Sequence, residues 1–293
     1  MRVLVNPSPM PGFRLGMGIT LTMLSLIVLL PIGALVLYGL NFGLAGIWQV
    51  ISSERVVAAL YLSFRLAFFA ALFNLIFGTV LAWVLARYDF PGRRFVDALV
   101  DLPFALPTAV AGIALTTLYA PNGVFGSFAK EWLAPVGNYL FAPFGSQFSG
   151  RIAYTEWGIL IALIFVGLPF VTRTVQPVIA EIEREVEEAS ATLGAGRFYT
   201  LRRVILPMLA PAAMTGFALS LARAVGEYGS VIFIAGNIPL KTEIAPLLIV
   251  IRLEEFNYDA AAAIGIAMLT ISFVMLLIIN IIQIWSRRRI GYV

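Results

Sequence analysis

Cysteine and histidine are absent from this 293-residue chain. Their absence excludes disulfides, thiol nucleophiles, iron–sulfur clusters, haem held through His or Cys, and His-based zinc sites. An intramembrane enzyme is left with few tools. Charge is scarce as well, at 12% of residues, where a soluble domain carries roughly a quarter. No G-x-x-x-x-G-K-[ST] phosphate loop occurs, so the sequence holds no nucleotide-hydrolysing site of that kind. Repeats of about 20–50 residues, low-complexity tracts and long linkers are also missing, which argues for one membrane domain.

Apolar residues are abundant. They make up 60% of the chain, and the mean hydropathy is +0.94. A chain of this composition cannot cover itself with water-soluble side chains, so the expected class is an all-α polytopic membrane protein. The net charge of +4 would suggest nucleic acid only if the basic residues formed a patch. They do not, and membrane lipid is the expected surface partner, with no nucleic acid.

Runs long enough to cross a bilayer lie at about 17–40, 60–86, 100–120, 157–178, 209–235 and 260–285. The first, at about 36 Å as a helix, exceeds a signal-peptide core and reads as a retained span. The third carries Pro103 and Pro107. It is expected inside the bundle, where neighbouring protein satisfies the carbonyls that proline frees. Whether it and the loop from 121 to 156 form a regular, re-entrant or interfacial segment stays open. That loop contains "WLAPVGNYLFAPFGSQF", whose aromatics suit the membrane interface.

Six spans put both termini on one side. With them lie Arg2, Arg14, Arg87, Arg93, Arg94, Arg173, Arg184, Arg197, Arg202, Arg203 and Arg287 to Arg289. The opposite side has Arg55, Lys130, Arg151, Lys241 and Arg252. The positive-inside rule therefore makes both termini cytoplasmic, with Ser286 to Arg289 as an anchor on the inner leaflet.

The segment from Ile179 to Pro207 then lies in the cytoplasm. Ile179, Ile182, Val186, Ala189 and Leu193 recur at three- and four-residue intervals, predicting one helical stripe. Glu181, Glu183, Glu185, Glu187 and Glu188 occupy the other positions, in early turns where the helix dipole favours them. Gly194 stands where a helix closing in the left-handed conformation takes glycine. A second, basic helical piece carries Arg197, Arg202 and Arg203 and is expected to end at Leu206-Pro207, where the next span starts. An amphipathic helix on anionic lipid is disfavoured by so many glutamates. A rigid docking element for a soluble partner fits better.

Glu188-Ala189-Ser190, Gly194 and Val204-Ile205-Leu206-Pro207 resemble the E-A-A, three residues, G, nine residues, I-x-L-P loop of ABC importer permeases. Ser190 replaces the second alanine and Val204 the isoleucine. The resemblance implies a type I permease fold, with Glu187, Glu188, Ala189, Ser190, Gly194, Leu206 and Pro207 in a coupling helix and loop seated on an ATPase subunit. "RYDFPGRRFVDALVDLPFALPTAVAG", "LIFVGLPFVTRTVQP", "LARAVGEYGSVIFIAGNIP" and "FNYDAAAAIGIAMLTISFVMLLIINIIQ" are similar to the sulfate/thiosulfate branch, most of all its T subunit. Molybdate permeases share some of these phrases.

That branch implies partners: a pair of ATPase subunits that bind ATP and magnesium, a second homologous permease, and an extracytoplasmic sulfate/thiosulfate-binding protein. It also implies a bacterial inner-membrane location, with no cofactor and no enzyme activity in this chain. The implied organisation is a tail, first helix and outer loop at 1–56, a permease domain at 57–285 with the coupling loop at 179–207, and a cytoplasmic tail at 286–293.

Ionisable residues at bilayer depth each need a reason. Arg223 and Glu227 sit four apart in the fifth span, on one helical face. They are either a self-neutralising packing pair or a source of positive potential for a dianion in transit. Arg65 either snorkels toward an interface or lines the route. Asn74 makes an interhelical hydrogen bond or touches substrate. Asp97 and Asp101 are expected to cap the third span or pair with Arg93 or Arg94. Rival functions are a permease for molybdate, tungstate or phosphate, and an ion-coupled secondary transporter; the latter would more often show internal repeats and buried acids for its coupling ion.

Overall fold

The structure, a computed structural model, describes residues 13–135 and 150–290. Arg2 and residues 136–148 of the aromatic loop lie outside the described residues, as do the side chains of Arg14 and of Arg287 to Arg289. Among the described residues there are helices and no strand.

Among the described residues, five helices are long and apolar enough to cross a membrane: Leu15–Phe42, Glu54–Arg87, Glu156–Glu181, Arg197–Val225 and Tyr258–Ile284. In chain order the helices are α1 (Phe13–Leu24), α2 (Leu30–Phe42), α3 (Leu44–Ile51), α4 (Glu54–Arg87), α5 (Arg93–Ala105), α6 (Thr108–Tyr119), α7 (Val124–Phe128), α8 (Glu156–Glu181), α9 (Arg184–Thr192), α10 (Arg197–Thr200), α11 (Leu206–Val225), α12 (Val231–Ile234), α13 (Ala245–Glu254) and α14 (Tyr258–Ile290). α1 and α2 form one rod joined by a π-helical turn, Ser25–Leu29.

The core is the three-way packing of α4, α8 and α11. Along α4, Ala67, Ala71, Asn74, Gly78, Ala82 and Leu85 are buried at intervals of three or four. They lay a stripe of mostly small residues against its neighbours. Lipid tails are as apolar as leucine, so helices in a bilayer associate through close contact, which small residues permit. Ala67, Ala70 and Ala71 pack with Ile159, Ala162, Leu221 and Ala224 in one cluster. At the Arg87 end, Ala82 packs with Val171, Val175, Ile179, Ile182, Ile205 and Leu209. A third cluster joins Val56, Ala59 and Leu60 to Ala245, Leu248, Ile264 and Ala267.

One open question about the spans is answered and three expectations are corrected. The third is a bent pair, Arg93–Ala105 and Thr108–Trp132, at 116°. Leu106 is extended (φ −88°, ψ 134°) because the Pro107 ring excludes the helical conformation from the residue before it. Nor is this pair enclosed by the chain's own bundle. In α5 and α6 only Val100, Ala111 and Gly112 are buried, while Phe95, Leu99, Leu102 and Phe104 are exposed.

The fifth span begins earlier than expected, at Arg197, and stops at Val225. Gly226 caps it, and residues 226–230 turn back into the four-residue α12. Finally, the basic piece does not end at Leu206-Pro207. It runs on through a π-helical turn, Leu201–Ile205, into α11. The wider π turn suits a proline, which has no N–H to give and whose ring crowds the carbonyl one turn back.

Candidate functional site

Two regions bring the singled-out residues together. The first is the end of the bundle where α4 stops and the chain leaves α8. α8 ends at Glu181, and Ile182 (ψ 112°) and Glu183 (ψ 144°) are extended before α9 begins. The stripe from Ile179 to Leu193 is therefore split between two helices, a correction to the single helix expected. The break follows from burial: Ile179 and Ile182 sit in the core cluster with Ile205 and Leu209. Beyond it the stripe opens outward. Val186, Ala189, Ser190, Leu193, Gly194, Tyr199 and Val204 line a groove of about 770 Å³. Leu193 is 88% exposed and Phe198 74%.

α9 closes as sequence logic requires. Gly194 has φ +80°. Its N–H donates to Ala191 O at 2.9 Å, and that of Ala195 donates to Ser190 O at 3.1 Å. This is the paired closure of a Schellman turn. A side chain at Gly194 would meet nothing within 4 Å, so glycine is required by its backbone conformation alone. Ser190 Oγ lies 2.8 Å from Thr200 Oγ1, which ties α9 to α10. Glu188 is exposed and Glu187 half-buried. Leu206 is exposed and Pro207 partly buried where the helix enters α11.

Arg87, counted from sequence only as a topology charge, turns its guanidinium into this joint. Nη2 donates to Ile182 O at 2.9 Å and lies 3.1 Å from Glu187 Oε1. The group also stands over the Trp83 ring at 5.4 Å. Arg173 of α8 was missed in the same way. It donates to both carboxylate oxygens of Asp101 and to Asp97 Oδ1, each at 2.7 Å. Asp97 and Asp101 thus pin α5 to α8 instead of capping α5 or pairing with Arg93 or Arg94. Arg93 pairs with Asp89. A two-pronged guanidinium suits paired carboxylates on a neighbouring helix better than a local contact could.

The second region is the end of α11. Arg223 Nη1 lies 2.5 Å from Glu227 Oε2. They do not share a helical face, because α11 stops between them at Val225. Glu227 is 2% exposed. Its other oxygen accepts the backbone N–H and the hydroxyl of Ser230, both at 2.8 Å, which closes the turn into α12. α6 packs directly on that turn: a side chain at Gly112 would stand 2.5 Å from Ser230 O. The two broken helices meet there.

Arg65 and Asn74 are not part of that grouping. Arg65 pairs with Glu156 at the start of α8 and lies over the Tyr61 ring at 5.1 Å. Asn74 is fully buried and donates from Nδ2 to Ser220 Oγ at 3.2 Å, joining α4 to α11. A further ion pair went unseen in the sequence. Arg55 grips Glu243 through Nε and Nη2, at 2.8 and 2.7 Å, and fastens the start of α4 to the segment before α13.

Residues 74–292 match the family described as binding-protein-dependent transport system inner membrane component. The chain is 47% identical over 284 residues to the sulfate transport system permease protein CysT of Escherichia coli K12, covering 97% of each. It is 48% identical over 270 residues to the protein of the same name from Synechocystis, covering 92% of this chain and 89% of that one. Its fold is similar to that of a crystallised bacterial ABC transporter involved in the import of the acidic polysaccharide alginate. There the TM-score is 0.70 at 19% identity, with 96% of each chain covered. The alginate transporter in complex with alginate pentasaccharide-bound periplasmic protein gives 0.70 at 20% identity over 95% of each chain.

Proposed function

This chain belongs to the binding-protein-dependent transport system inner membrane component family, and we propose from that premise that it is the permease subunit through which an ATP-driven importer carries sulfate across the inner membrane. One observation carries the substrate class: 47% identity over 97% of each chain to a protein named sulfate transport system permease protein. Thiosulfate, the same tetrahedral dianion with one oxygen replaced by sulfur, is a second substrate in this reading.

The chain performs no covalent chemistry. One of a pair of ATPase subunits, which bind ATP and magnesium, seats on the groove beside Gly194, with Ala189 and Ser190 in its lining and Glu187 and Glu188 on the same helix. The groove end is cytoplasmic, as the arginine distribution argues. Closure of the ATPases pulls α9 and α10, and α10 continues without a break in helical character into α11, so the pull reaches the Gly226 end of that span. A second, homologous permease covers the apolar face that α5 and α6 leave open, and an external binding protein delivers the anion. The permease domain is residues 57–285, with the coupling loop at 179–207. Arg223 supplies positive potential on the route and Glu227 holds its guanidinium; selectivity resides in the delivering protein, since conduction needs weak binding along the path.

The test is purification of the tagged chain from membranes, identification of what accompanies it, and uptake in vesicles competed by sulfate, thiosulfate and molybdate. An ATPase, a second permease and sulfate-competed, ATP-dependent uptake are expected. Accumulation of sulfate by vesicles holding this chain alone, without nucleotide, would overturn the coupling. Competition by molybdate but not sulfate would overturn the substrate.

A further inference from the structure

We infer that Arg87 is a positioning residue that makes α4 a second load path from the coupling helix, beside the covalent route through α10 and α11. The inference rests on the coupling reading above and names a residue outside the loop to which that reading assigns the work.

α9 is joined to α8 by only two extended residues, Ile182 and Glu183. The hydrogen bonds at the joint are long and local: Ile182 N–H to Ile179 O and Val186 N–H to Glu183 O, both at 3.3 Å. A joint of that kind lets α9 swing, because few backbone bonds resist a change of ψ there. Arg87 closes it from outside. Nη2 serves the freed carbonyl of Ile182 at 2.9 Å and the Glu187 carboxylate at 3.1 Å. One nitrogen therefore holds both sides of the break.

The guanidinium is fixed in turn. Its Cζ stands over the Trp83 ring, one turn back on its own helix, 5.4 Å from the centroid, and only 15% of the side chain is exposed. Leu85, two residues before it, is fully buried, and Ala82 lies in the core cluster with Ile179 and Ile182. The last turn of α4 is thus rigid, and a displacement of α9 is passed into it through the Glu187–Arg87 ion pair at 3.1 Å. Glu187 lies in the first turn of α9, where the helix dipole already favours the carboxylate. Lysine would keep the charge but not the planar fork lying on the indole.

The test uses the assembled complex in lipid vesicles, reading ATP hydrolysed against sulfate moved. For Arg87→Gln, ATPase subunits are expected to co-purify and hydrolyse ATP, while sulfate moved per ATP falls on the order of tenfold, the scale of one charge-assisted hydrogen bond. Arg87→Lys should fall between. Arg87→Gln/Glu187→Gln should lose no more than Arg87→Gln alone, because both remove one contact. A yield per ATP is not moved by a merely smaller amount of folded protein.

A second readout follows α9 itself. The chain has no cysteine, so Val80→Cys and Thr192→Cys give one spin-label pair within it, on exposed positions of α4 and α9. The label distance should be narrow with Arg87 present and broad in Arg87→Gln. Wild-type yield per ATP, or an unchanged narrow distance, overturns the inference and leaves the groove reading standing. If Arg87→Gln fails to accumulate in membranes, Glu187→Gln tests the contact from its more exposed side, and a wild-type yield there overturns it equally. If no ATPase accompanies the unaltered chain, the coupling reading fails and this inference falls with it.

Discussion

Ser190 Oγ and Thr200 Oγ1 lie 2.8 Å apart, so the helices on either side of Gly194 are joined flank to flank as well as through the turn. The Schellman closure fixes where α9 stops, and the hydroxyl pair fixes the angle at which α10 leaves. Together they make a rigid corner from a segment whose apolar side chains, Leu193 and Phe198 above all, face outward. Rigidity and exposure are what a docking corner needs: an ordered shape before the partner arrives, and surface left for it to cover.

Gly194→Val should insert in the membrane normally and abolish uptake. The substitution meets open space, so packing is unaffected, but a β-branched residue resists φ +80°, at about 1–2 kcal/mol or more. Gly194→Asn, which tolerates the left-handed region, should retain much of the activity. ATP-dependent uptake at matched membrane levels is the measurement. Normal transport by the valine variant would remove the turn from the mechanism.

Ser190→Ala and Thr200→Val should each weaken the corner by about 1 kcal/mol, the net value of a typical hydrogen bond. Thr200→Val also loses the 3.3 Å bond from its hydroxyl to Gly196 O, so the double variant should add little to Thr200→Val, in which the Ser190–Thr200 bond is already gone. Uptake rates at saturating ATPase provide the check, and strictly additive losses would mean the hydroxyls act separately. Ser190 stands where the resembling pattern has alanine, so Ser190→Ala loses only this bond.

Gly112→Ala should disturb transport although it is a one-carbon change. Its Cβ would stand 2.5 Å from Ser230 O and 2.8 Å from Ser230 Cα. Those are backbone atoms and cannot swing aside as a side chain can. α6 must then part from the turn after α11. Crosslinking between the Thr108 and Gly229 positions, where a Cβ on Gly229 would stand 2.2 Å from Thr108 Oγ1, should drop along with uptake. Undiminished crosslinking and uptake would show that the two broken helices need not touch.

Local rules carried the reading a long way at Gly194, where one residue's conformational freedom decides the outcome. They also carried the greasy spans, where length and composition suffice. They stopped where tertiary partners decide. Nothing in the periodicity from Ile179 to Leu193 distinguishes one helix from two, because the break is held by the burial of Ile182 and by Arg87, 95 residues away. Arg173 and Arg55 read as surface charge, since Asp97, Asp101 and Glu243 lie 72 to 188 residues distant in sequence. The spacing of Arg223 and Glu227 predicts their pairing but not its geometry, because Gly226 ends the helix between them. The Leu106-Pro107 corner was legible in principle, because a residue before proline avoids the helical region.

Arg223 and Glu227 offer the sharpest separation of transport from packing. Arg223→Gln leaves the Glu227 carboxylate buried, with Ser230 as its remaining donor. An uncompensated buried charge is destabilising by about 3–5 kcal/mol, so this variant alone confounds assembly with function. Arg223→Gln/Glu227→Gln removes both charges and should restore assembly, read as co-purification of the partner subunits. If the arginine attracts a dianion, uptake stays low in the restored complex. It should also lose part of its dependence on ionic strength, because the attraction is screened by salt where the side chain is open to water. If uptake returns with assembly, the pair does no more than hold the turn after α11 in place. Complete dissociation of the double variant would instead assign the polar contacts themselves, and not the charge, to the joint between helices.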